Sequence, residues 1–407
     1  MPYLDNNATT APDPAVLETM DRAHRELWAN PSSVHRPGQT ARQQIELARQ
    51  AVAELLGAKP REVIFTSGGT EANNLALRGF LEPHPPSQTA APRTLITTKV
   101  EHSAIREPAE ALHALGIQTV YLPVDSAGRV DPADLTSALH EHTQPGSTTL
   151  ACLQWANNET GVLQPIDDLA HAFADAKKRL IADTPPGQPR PRLAFHTDAT
   201  QAVGKLPVDL STLPLDALTC AAHKLHGPKG VGALYKKSTF RPTPQQRGGP
   251  QERELRGGTE NTPAILGFGV AAQRAADFLQ NTDRIAELQN LRDRFEQQVC
   301  NALPDTVINS HDAPRLWNTS NLAFPGLEAE AVLIGLSERG VCASAGAACS
   351  SGSLEPSPVL LAMGLPEPVA HGSVRFSLSR HTTQDEIDTA RDHLLTVVRK
   401  LRQTLPV

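Results

Sequence analysis

The sequence has 407 residues, 39% of them hydrophobic and 20% charged, and its formal net charge is −6 at pH 7. This length and composition predict a large core in two packed lobes and exclude disorder, collagen-like repeats and a membrane-spanning protein. No basic run or basic patch with interleaved aromatic residues occurs, so the charge pattern gives no reason to expect nucleic acid as a partner.

The first ten residues, MPYLDNNATT, contain neither a basic segment nor an apolar stretch and therefore do not match a secretory signal. No later segment approaches the roughly 18 consecutive apolar residues of a transmembrane helix. We therefore expect a cytoplasmic protein without a membrane partner. Its five cysteines are an odd number without C-x-x-C spacing, which favours free thiols over disulfides or a zinc site.

Short apolar runs alternate with longer helical patterns along the chain. The runs predict strands, and the patterns between them predict helices at 40–56 and 166–180, with the strands at 63–66, 94–97, 149–153 and 193–197. This alternation predicts an α/β fold with a mostly parallel sheet. Ligands bind beyond the carboxyl ends of such strands, so the polar residues that follow each run are the candidates for chemistry.

Two segments rich in proline and polar residues, 82–93 and 183–192, interrupt passages from helix to strand. Because proline fixes φ and lacks an amide donor, we predict that both are surface loops. From about residue 263 onward helical patterns dominate. Residues 283–303 are predicted to form a long amphipathic helix that leads into a second lobe.

The segment TSGGTEANNLAL, residues 66–77, follows a predicted strand and precedes a helical pattern. Glycine allows close backbone approach, a helix N-terminus carries partial positive charge, and the Thr70 hydroxyl can donate to a phosphate oxygen. The segment therefore predicts a phosphate site at Gly69 and Thr70. A capped helix start that binds nothing is the alternative.

Asp198 comes directly after the predicted strand at 193–197, which places a carboxylate at the carboxyl edge of the sheet. There it can keep a heterocyclic nitrogen protonated, and Gln201 lies one short turn further on and can reach the same ligand. A plain surface aspartate is the alternative, but its position behind an apolar strand argues against it.

Lys224 lies next to His223, between an apolar run and a glycine-proline turn. Enzymes that use pyridoxal phosphate need one lysine for the Schiff base and one acidic partner for the pyridinium nitrogen. Lys224 and Asp198 supply both groups. Lys229 lies in the turn itself and is assigned to the loop.

Cys349 lies in a stretch of small residues, 340–360, that has too little apolar bulk to pack as core. We therefore predict an exposed loop whose thiol can act as a nucleophile if a nearby cation lowers its pKa. Cys342 follows an apolar run and is assigned to the packed edge of this region. Cys152 and Cys220 lie in strand-like runs and are assigned to the core.

The chain resembles the cysteine desulfurases of the NifS/IscS branch over nearly its whole length. The motifs that carry this resemblance are YLDNNATT, NPSSVHRPG, TSGGTEANN, EHSA, NNETG, HTDATQAVGK, AHKLHGPKG, RGGTEN, CSSGSLEPS and VRFSLSR. The resemblance implies a class V, fold-type I enzyme dependent on pyridoxal 5′-phosphate (PLP) that is a homodimer. Such an enzyme converts L-cysteine to L-alanine and passes the sulfur as a persulfide to acceptor proteins for iron–sulfur cluster or other thio-cofactor biosynthesis.

The resemblance also implies two domains. Residues 14–262 would form a large PLP-binding domain with a seven-stranded, mostly parallel sheet between helices. Residues 1–13 and 263–407 would form a smaller α+β domain that carries the Cys349 loop. The RGGTEN motif favours the nitrogen-fixation-like subtype.

Site residues follow from the same resemblance. Lys224 would hold the cofactor covalently, Asp198 would pair with the pyridine nitrogen, and His102 of EHSA would stack on the ring and transfer protons at the substrate thiol. Cys349 would take the substrate sulfur. No resident metal is implied, although Cys349 can ligate a transferred iron–sulfur cluster together with a partner.

The remaining implied contacts concern the phosphate, the ring hydroxyl and the substrate. The residues implied for the phosphate are Gly69, Thr70, His223 and, from the other subunit, Thr259. Asn158 and Gln201 would approach the ring hydroxyl. Arg375 of VRFS, with Asn158, would hold the substrate carboxylate through a bidentate pair that lysine cannot reproduce.

One position departs from the family pattern. The family usually has serine two residues before the histidine of the lysine motif, where this chain has Ala221. A hydrogen bond to a charged group contributes about 1.5 to 3 kcal/mol, so we expect weaker retention of the cofactor but not loss of all activity.

Two other functions remain open at this point. The first is a selenocysteine lyase or another class V aminotransferase, in which Cys349 would be dispensable. The second is a non-catalytic scaffold that keeps the fold to dock sulfur-accepting partners. The joint presence of Lys224, Asp198, His102 and Cys349 argues against the scaffold.

Overall fold

The structure is a computed structural model that describes residues 1–82, 91–346 and 355–404. The helices are α1 (Pro14–Glu26), α2 (Arg36–Leu55), α3 (Gly69–Leu81), α4 (Ser103–Ala114), α5 (Pro132–His142), α6 (Ile166–Ala182), α7 (Thr262–Gln280), α8 (Thr282–Ala302), α9 (Ala329–Ser337), α10 (Pro358–Ala362), α11 (Glu367–His371) and α12 (Gln384–Thr404). The strands are β1 (Val63–Thr66), β2 (Arg93–Thr98), β3 (Gln118–Leu122), β4 (Thr148–Gln154), β5 (Arg192–Asp198), β6 (Ala217–Ala221), β7 (Gly232–Lys236), β8 (Val307–Ile308), β9 (Thr319–Ala323) and β10 (Ser373–Ser377).

Seven strands form the central sheet in the order β1-β7-β6-β5-β4-β2-β3. Strand β7 runs antiparallel to β1 and β6, and the other neighbouring pairs run parallel. The mostly parallel sheet that we predicted is therefore confirmed. The four predicted strands correspond to β1, β2, β4 and β5, and the predicted helices to α2 and α6.

Helices cover both faces of this sheet, because successive side chains of a strand point to opposite sides. On β5, Leu193 and Phe195 join the core with α1, α2, α5, α6 and α7. Ala194, between them, joins the core with α3 and α4 on the other face. Both cores surround the strand ends where the candidate residues lie.

A second lobe packs around a three-stranded antiparallel sheet in the order β10-β9-β8. Its core combines this sheet with α8, α9 and α12, and Leu4 from the start of the chain packs into it. Helix α8 corresponds to the amphipathic helix predicted at 283–303. The exact domain boundaries stay a prediction; α7, from the predicted small domain, buries Phe268 in the core of the large sheet.

The N-terminal segment runs along the small sheet before it reaches the large one. Tyr3 forms a β-bridge with Cys342, and Asp5 forms one with Ser377 at the end of β10. Further along the segment, Thr10 donates its backbone N–H to the carbonyl of His223. Residues 1–10 thus connect the second lobe to the end of β6.

The structure also bears on the predictions for the cysteines, the two proline-rich loops and a membrane-spanning helix. Cys152 and Cys220 are buried in strands, as expected, and Cys342 is half-buried at its bridge to the N-terminal segment. The described cysteines form no disulfide. Residues 183–191 form a turn-rich, mostly exposed loop, whereas residues 83–90 of the other predicted loop lie outside the described residues. No helix in the described ranges is long and apolar enough to cross a membrane.

Candidate active site

A cavity of about 270 Å³ lies at the carboxyl ends of β4, β5 and β6, beside the first turns of α3 and α4. It brings together eight of the residues predicted from the sequence, which are Gly69, Thr70, His102, Asn158, Asp198, Gln201, His223 and Lys224. They come from five separate segments of the chain. Ligands bind at the carboxyl ends of the strands in a parallel sheet, and the candidate residues lie at this edge.

Lys224 ends a short 3₁₀ helix, Ala222–Lys224, that directly follows the buried strand β6. Its Nζ donates to the carbonyl oxygen of Asn7 at 2.6 Å and to that of Ala8 at 2.8 Å. The N-terminal segment therefore directs the lysine amine, a contact that the sequence analysis did not anticipate. The neighbouring Lys229 is exposed in a turn, as predicted.

Asp198 ends β5 and is 6% exposed. Its Oδ2 accepts a hydrogen bond from Asn73 Nδ2 at 2.8 Å, and its Oδ1 accepts one from the backbone N–H of Thr200 at 2.9 Å. Asn73 is 1% exposed and lines the cavity. Sequence analysis missed it, although it lies one helical turn after Gly69 and therefore on the same face of α3.

The start of α3 lines the cavity with its first two residues, Gly69 and Thr70. Its N-cap residue is Gly68, and no described side chain caps this end of the helix. Glu71 lies in the first turn, but Arg256 Nε donates to its carboxylate at 2.9 Å. The N-terminal groups of this helix are thus available to an anion.

His223 lines the same cavity and contacts Thr9 Oγ1 through its Nδ1 at 3.2 Å. Burial, reinforced by the charges of Lys224, Lys229 and Lys205, lowers the pKa of His223 to about 4. The imidazole is therefore neutral at physiological pH and can donate one hydrogen bond. Ala221, the departure from the family pattern, presents only a methyl group to the cavity.

His102 is the N-cap of α4, and its Nδ1 accepts a hydrogen bond from the backbone N–H of Ala104 at 3.0 Å. Because Nδ1 is the acceptor, the proton of the neutral ring lies on Nε2. A cap contact thus selects the tautomer of a residue that lines the cavity. A histidine in this state can donate a hydrogen bond from Nε2 to a group in the cavity.

Glu101, the residue before His102, is a second buried carboxyl group near Asp198. Its Oε1 accepts hydrogen bonds from the backbone N–H of Gln154 at 2.9 Å and from Thr98 Oγ1 at 3.1 Å. Burial, with a contribution from the charge of Asp198, raises the pKa of Glu101 to about 8. Glu101 is therefore mostly protonated at pH 7, and it anchors the end of β4.

Gln201 lines the cavity with its amide held in one orientation. Its Nε2 donates to the Asn7 carbonyl at 2.9 Å, and its Oε1 accepts from Lys205 Nζ at 2.5 Å. Lys205 also donates to Asn7 Oδ1 at 2.9 Å. Burial, together with the charges of Lys224 and Arg375, lowers the pKa of Lys205 well below its usual value.

Arg375 lies on β10 and does not line the cavity. It is 2% exposed, and its Nη1 donates to the carbonyl of Asn158 at 2.8 Å. Its Nη2 donates to Asp5 Oδ1 at 2.7 Å. The predicted substrate arginine is thus joined to the cavity through Asn158 and held by an acidic residue that the sequence analysis did not consider.

Two predicted residues lie elsewhere. Thr259 is exposed and does not line the cavity of its own chain. Cys349 lies outside the described residues. Among the described residues, no group of three or more histidine, cysteine, aspartate or glutamate side chains is arranged to hold a metal ion.

The donor set of the cavity fits PLP. It combines a lysine amine directed by two carbonyls, a buried carboxylate held by two donors, and a helix N-terminus open to a phosphate. Two buried polar atoms of lining residues, Asn73 Oδ1 and Thr200 Oγ1, have no hydrogen-bond partner within the described chain. Unpaired buried polar atoms are rare in folded proteins and mark places where a ligand can bond.

The chain matches the family described as Aminotransferase class-V over residues 2–389. It is 45% identical over 404 residues to cysteine desulfurase 2 of Trichormus variabilis, a match that covers 99% of this chain and 94% of that protein. It is 42% identical over 405 residues to the cysteine desulfurase NifS of Azotobacter vinelandii, with 99% and 94% covered. A solved structure titled NIFS-LIKE PROTEIN superposes with a TM-score of 0.85 at 33% identity, covering 98% of this chain and 99% of the other.

These similarities confirm the predicted fold class and the resemblance to the NifS/IscS branch, whose members depend on PLP. They do not favour the alternatives of a lyase or a scaffold. Together with the geometry of the cavity, they establish that the chain belongs to the class-V aminotransferase family.

Proposed function

We propose that this protein is a PLP-dependent cysteine desulfurase that converts L-cysteine to L-alanine and transfers the sulfur through Cys349 to an acceptor protein. The observation that carries this proposal is that Lys224, Asp198 and His102 line one cavity in a chain whose relatives are desulfurases. When bound, the cofactor supplies an electron sink for the bond-breaking steps at the substrate.

The roles of the three central residues follow from their surroundings. Lys224 would hold the cofactor and, once freed by the substrate amine, carry the α-proton while the carbonyls of Asn7 and Ala8 orient its Nζ. Asp198, fixed by two donors, would hold the proton of the ring nitrogen. His102 would face the substrate sulfur with Nε2, because Nδ1 is engaged by Ala104, and it is the candidate residue for proton transfer there.

Other residues are candidates for binding the phosphate and the ring hydroxyl of the cofactor and the carboxylate of the substrate. Gly69, Thr70 and the neutral His223 would bind the phosphate, and Asn158 and Gln201 would lie at the ring hydroxyl. Arg375 would hold the substrate carboxylate together with Asn158, whose carbonyl it already contacts. The Cys349 thiolate would then attack the substrate sulfur and form a persulfide. The electron pair of the broken carbon–sulfur bond would stay with the substrate carbon, which takes up a proton and leaves as alanine.

A homodimer is part of the proposal. The loop that carries Thr259 is anchored by Glu252, whose carboxylate accepts two hydrogen bonds from the buried Arg49, each at 2.7 Å. Glu252, Arg253 and Glu254 in this loop have positive φ angles, which only well-determined surroundings maintain. A fixed loop that exposes Thr259 away from its own cavity is suited to reach the phosphate of a second subunit.

The pathway and the compartment are proposals as well. The acceptor would be an iron–sulfur scaffold or another sulfur-accepting protein, and Cys349 can hold a transferred cluster together with it. A cytoplasmic location stays a prediction from the sequence.

The test is to measure alanine and sulfide production from L-cysteine with a reductant, for the wild type and for Cys349→Ala. We expect the variant to keep the visible absorption of bound cofactor and its response to cysteine, but to release no sulfide. Cys300→Ala is the matched control, because Cys300 is a half-buried thiol on α8, outside the cavity. Equal activity of wild type and Cys349→Ala would refute the persulfide route.

A further inference from the structure

The hydroxyl group of Thr200 has none of the roles given above to the residues of the cavity. Its Oγ1 is buried and has no hydrogen-bond partner in the described part of the chain, although Thr200 lines the cavity. Its backbone N–H is already used, because it donates to Asp198 Oδ1 at 2.9 Å. A valine would fill the same space without the cost of an unpaired buried hydroxyl, so packing alone does not explain a threonine here.

The hydroxyl lies against the first residue of α3. A Cβ atom placed on Gly69 would lie 3.1 Å from Thr200 Oγ1 and 3.6 Å from the Cβ of Ala221. Thr200 and Ala221 therefore face the same open helix end, and of the two only Thr200 offers a hydrogen-bond donor. A side chain at position 69 would therefore be in close steric contact with this hydroxyl.

The hydrogen-bond donors around this point suit an anion. The backbone N–H groups of Gly69 and Thr70 carry the positive end of the helix dipole, and no described side chain caps them. The neutral His223 and the amine of Lys224 line the same cavity. Glu71, the acidic group in this turn, is paired with Arg256.

We propose that Thr200 is a further cofactor-binding residue, whose hydroxyl donates to a phosphate oxygen at the start of α3 and so supplies the hydrogen bond that Ala221 cannot make. This inference rests on the proposed assignment of Gly69, Thr70 and His223 to the phosphate. Ala221 by itself predicts weaker binding of the cofactor. The hydrogen bond from Thr200 would offset part of this loss.

The experiment compares PLP with pyridoxal, which lacks the phosphate. Full-length protein is stripped of cofactor and titrated with each compound, and the dissociation constants are taken from the visible absorption of the bound form. Thr200→Val should raise the dissociation constant of PLP about tenfold to a hundredfold, the range for a hydrogen bond to a charged group. The constant for pyridoxal should not change.

Two variants serve as controls. Thr200→Ser keeps the hydroxyl and should bind PLP as the wild type does. Thr197→Val removes a hydroxyl on β5 that is also buried and has no hydrogen-bond partner among the described residues, but that lies outside the cavity. This variant should leave the dissociation constants of both PLP and pyridoxal unchanged.

The proposal is overturned if Thr200→Val binds PLP as tightly as the wild type does. It is also overturned if this substitution weakens the binding of PLP and of pyridoxal equally, or if Thr200→Ser loses as much affinity for PLP as Thr200→Val. Failure of the wild type itself to regain the absorption of bound PLP would instead contradict the proposed function. The two failures are therefore distinguishable.

Discussion

Asn73 donates its Nδ2 to the Oδ2 of Asp198 at 2.8 Å, and both side chains are buried. The amide nitrogen is the donor in this contact, which fixes the orientation of the Asn73 amide. The opposite atom, Asn73 Oδ1, is left without a partner within the described ranges. Asn73 is thus a positioning residue for the carboxylate that would hold the ring nitrogen.

Replacing Asn73 with aspartate should disturb this arrangement. A second carboxyl group beside Asp198 disfavours ionisation of the pair, so the pKa of one of the two groups rises. We expect Asn73→Asp to shift the visible absorption of the bound cofactor and to lower kcat more than it raises KM. Asn74→Asp is the control, because Asn74 is a half-exposed neighbour on α3. An unchanged spectrum would show that Asn73 does not act on Asp198.

Arg375 should control the affinity for the substrate carboxylate rather than that for the cofactor. Its guanidinium is held between Asp5 and the carbonyl of Asn158, a geometry that depends on a planar fork of donors. We expect Arg375→Lys to raise KM for L-cysteine about tenfold or more, because a charge-assisted hydrogen bond contributes about 1.5 to 3 kcal/mol. The dissociation constant of PLP should stay the same. A normal KM would contradict the assignment of Arg375 to the substrate.

Glu101 should make the free energy of unfolding depend on pH. Its pKa rises from 4.5 to about 8 on folding, so the folded state binds more protons than the unfolded state between these values. The contribution of Glu101 to stability is therefore present below pH 4.5 and is lost as the pH rises towards 8. Glu101→Gln removes this dependence and keeps the shape of the side chain.

The stability of Glu101→Gln relative to the wild type should therefore increase between pH 5 and pH 8, by at most about 1.4 kcal/mol per pH unit. Urea unfolding at several pH values measures the difference. Glu107→Gln, at an exposed position on α4, should show no such trend. A stability difference that does not vary with pH would argue against a protonated Glu101.

Local signals in the sequence determined the elements and the central site residues. The apolar runs predicted β1, β2, β4 and β5 because a buried strand needs consecutive apolar side chains, which are visible without any knowledge of the fold. Asp198 and Lys224 followed for a related reason. Each comes directly after such a run, and the ends of neighbouring strands in a mostly parallel sheet meet at one edge.

Only the tertiary structure decided which residues hold these groups in place. Asn73 and Asp198 are 125 residues apart, Asn7 and Lys224 are 217 apart, and Asp5 and Arg375 are 370 apart. No periodicity in the sequence encodes such pairs, because they arise from the order of strands in the sheet and from the N-terminal segment that joins both lobes. The chemical groups of the site are therefore evident in the chain itself, whereas their orientation exists only once the chain has folded.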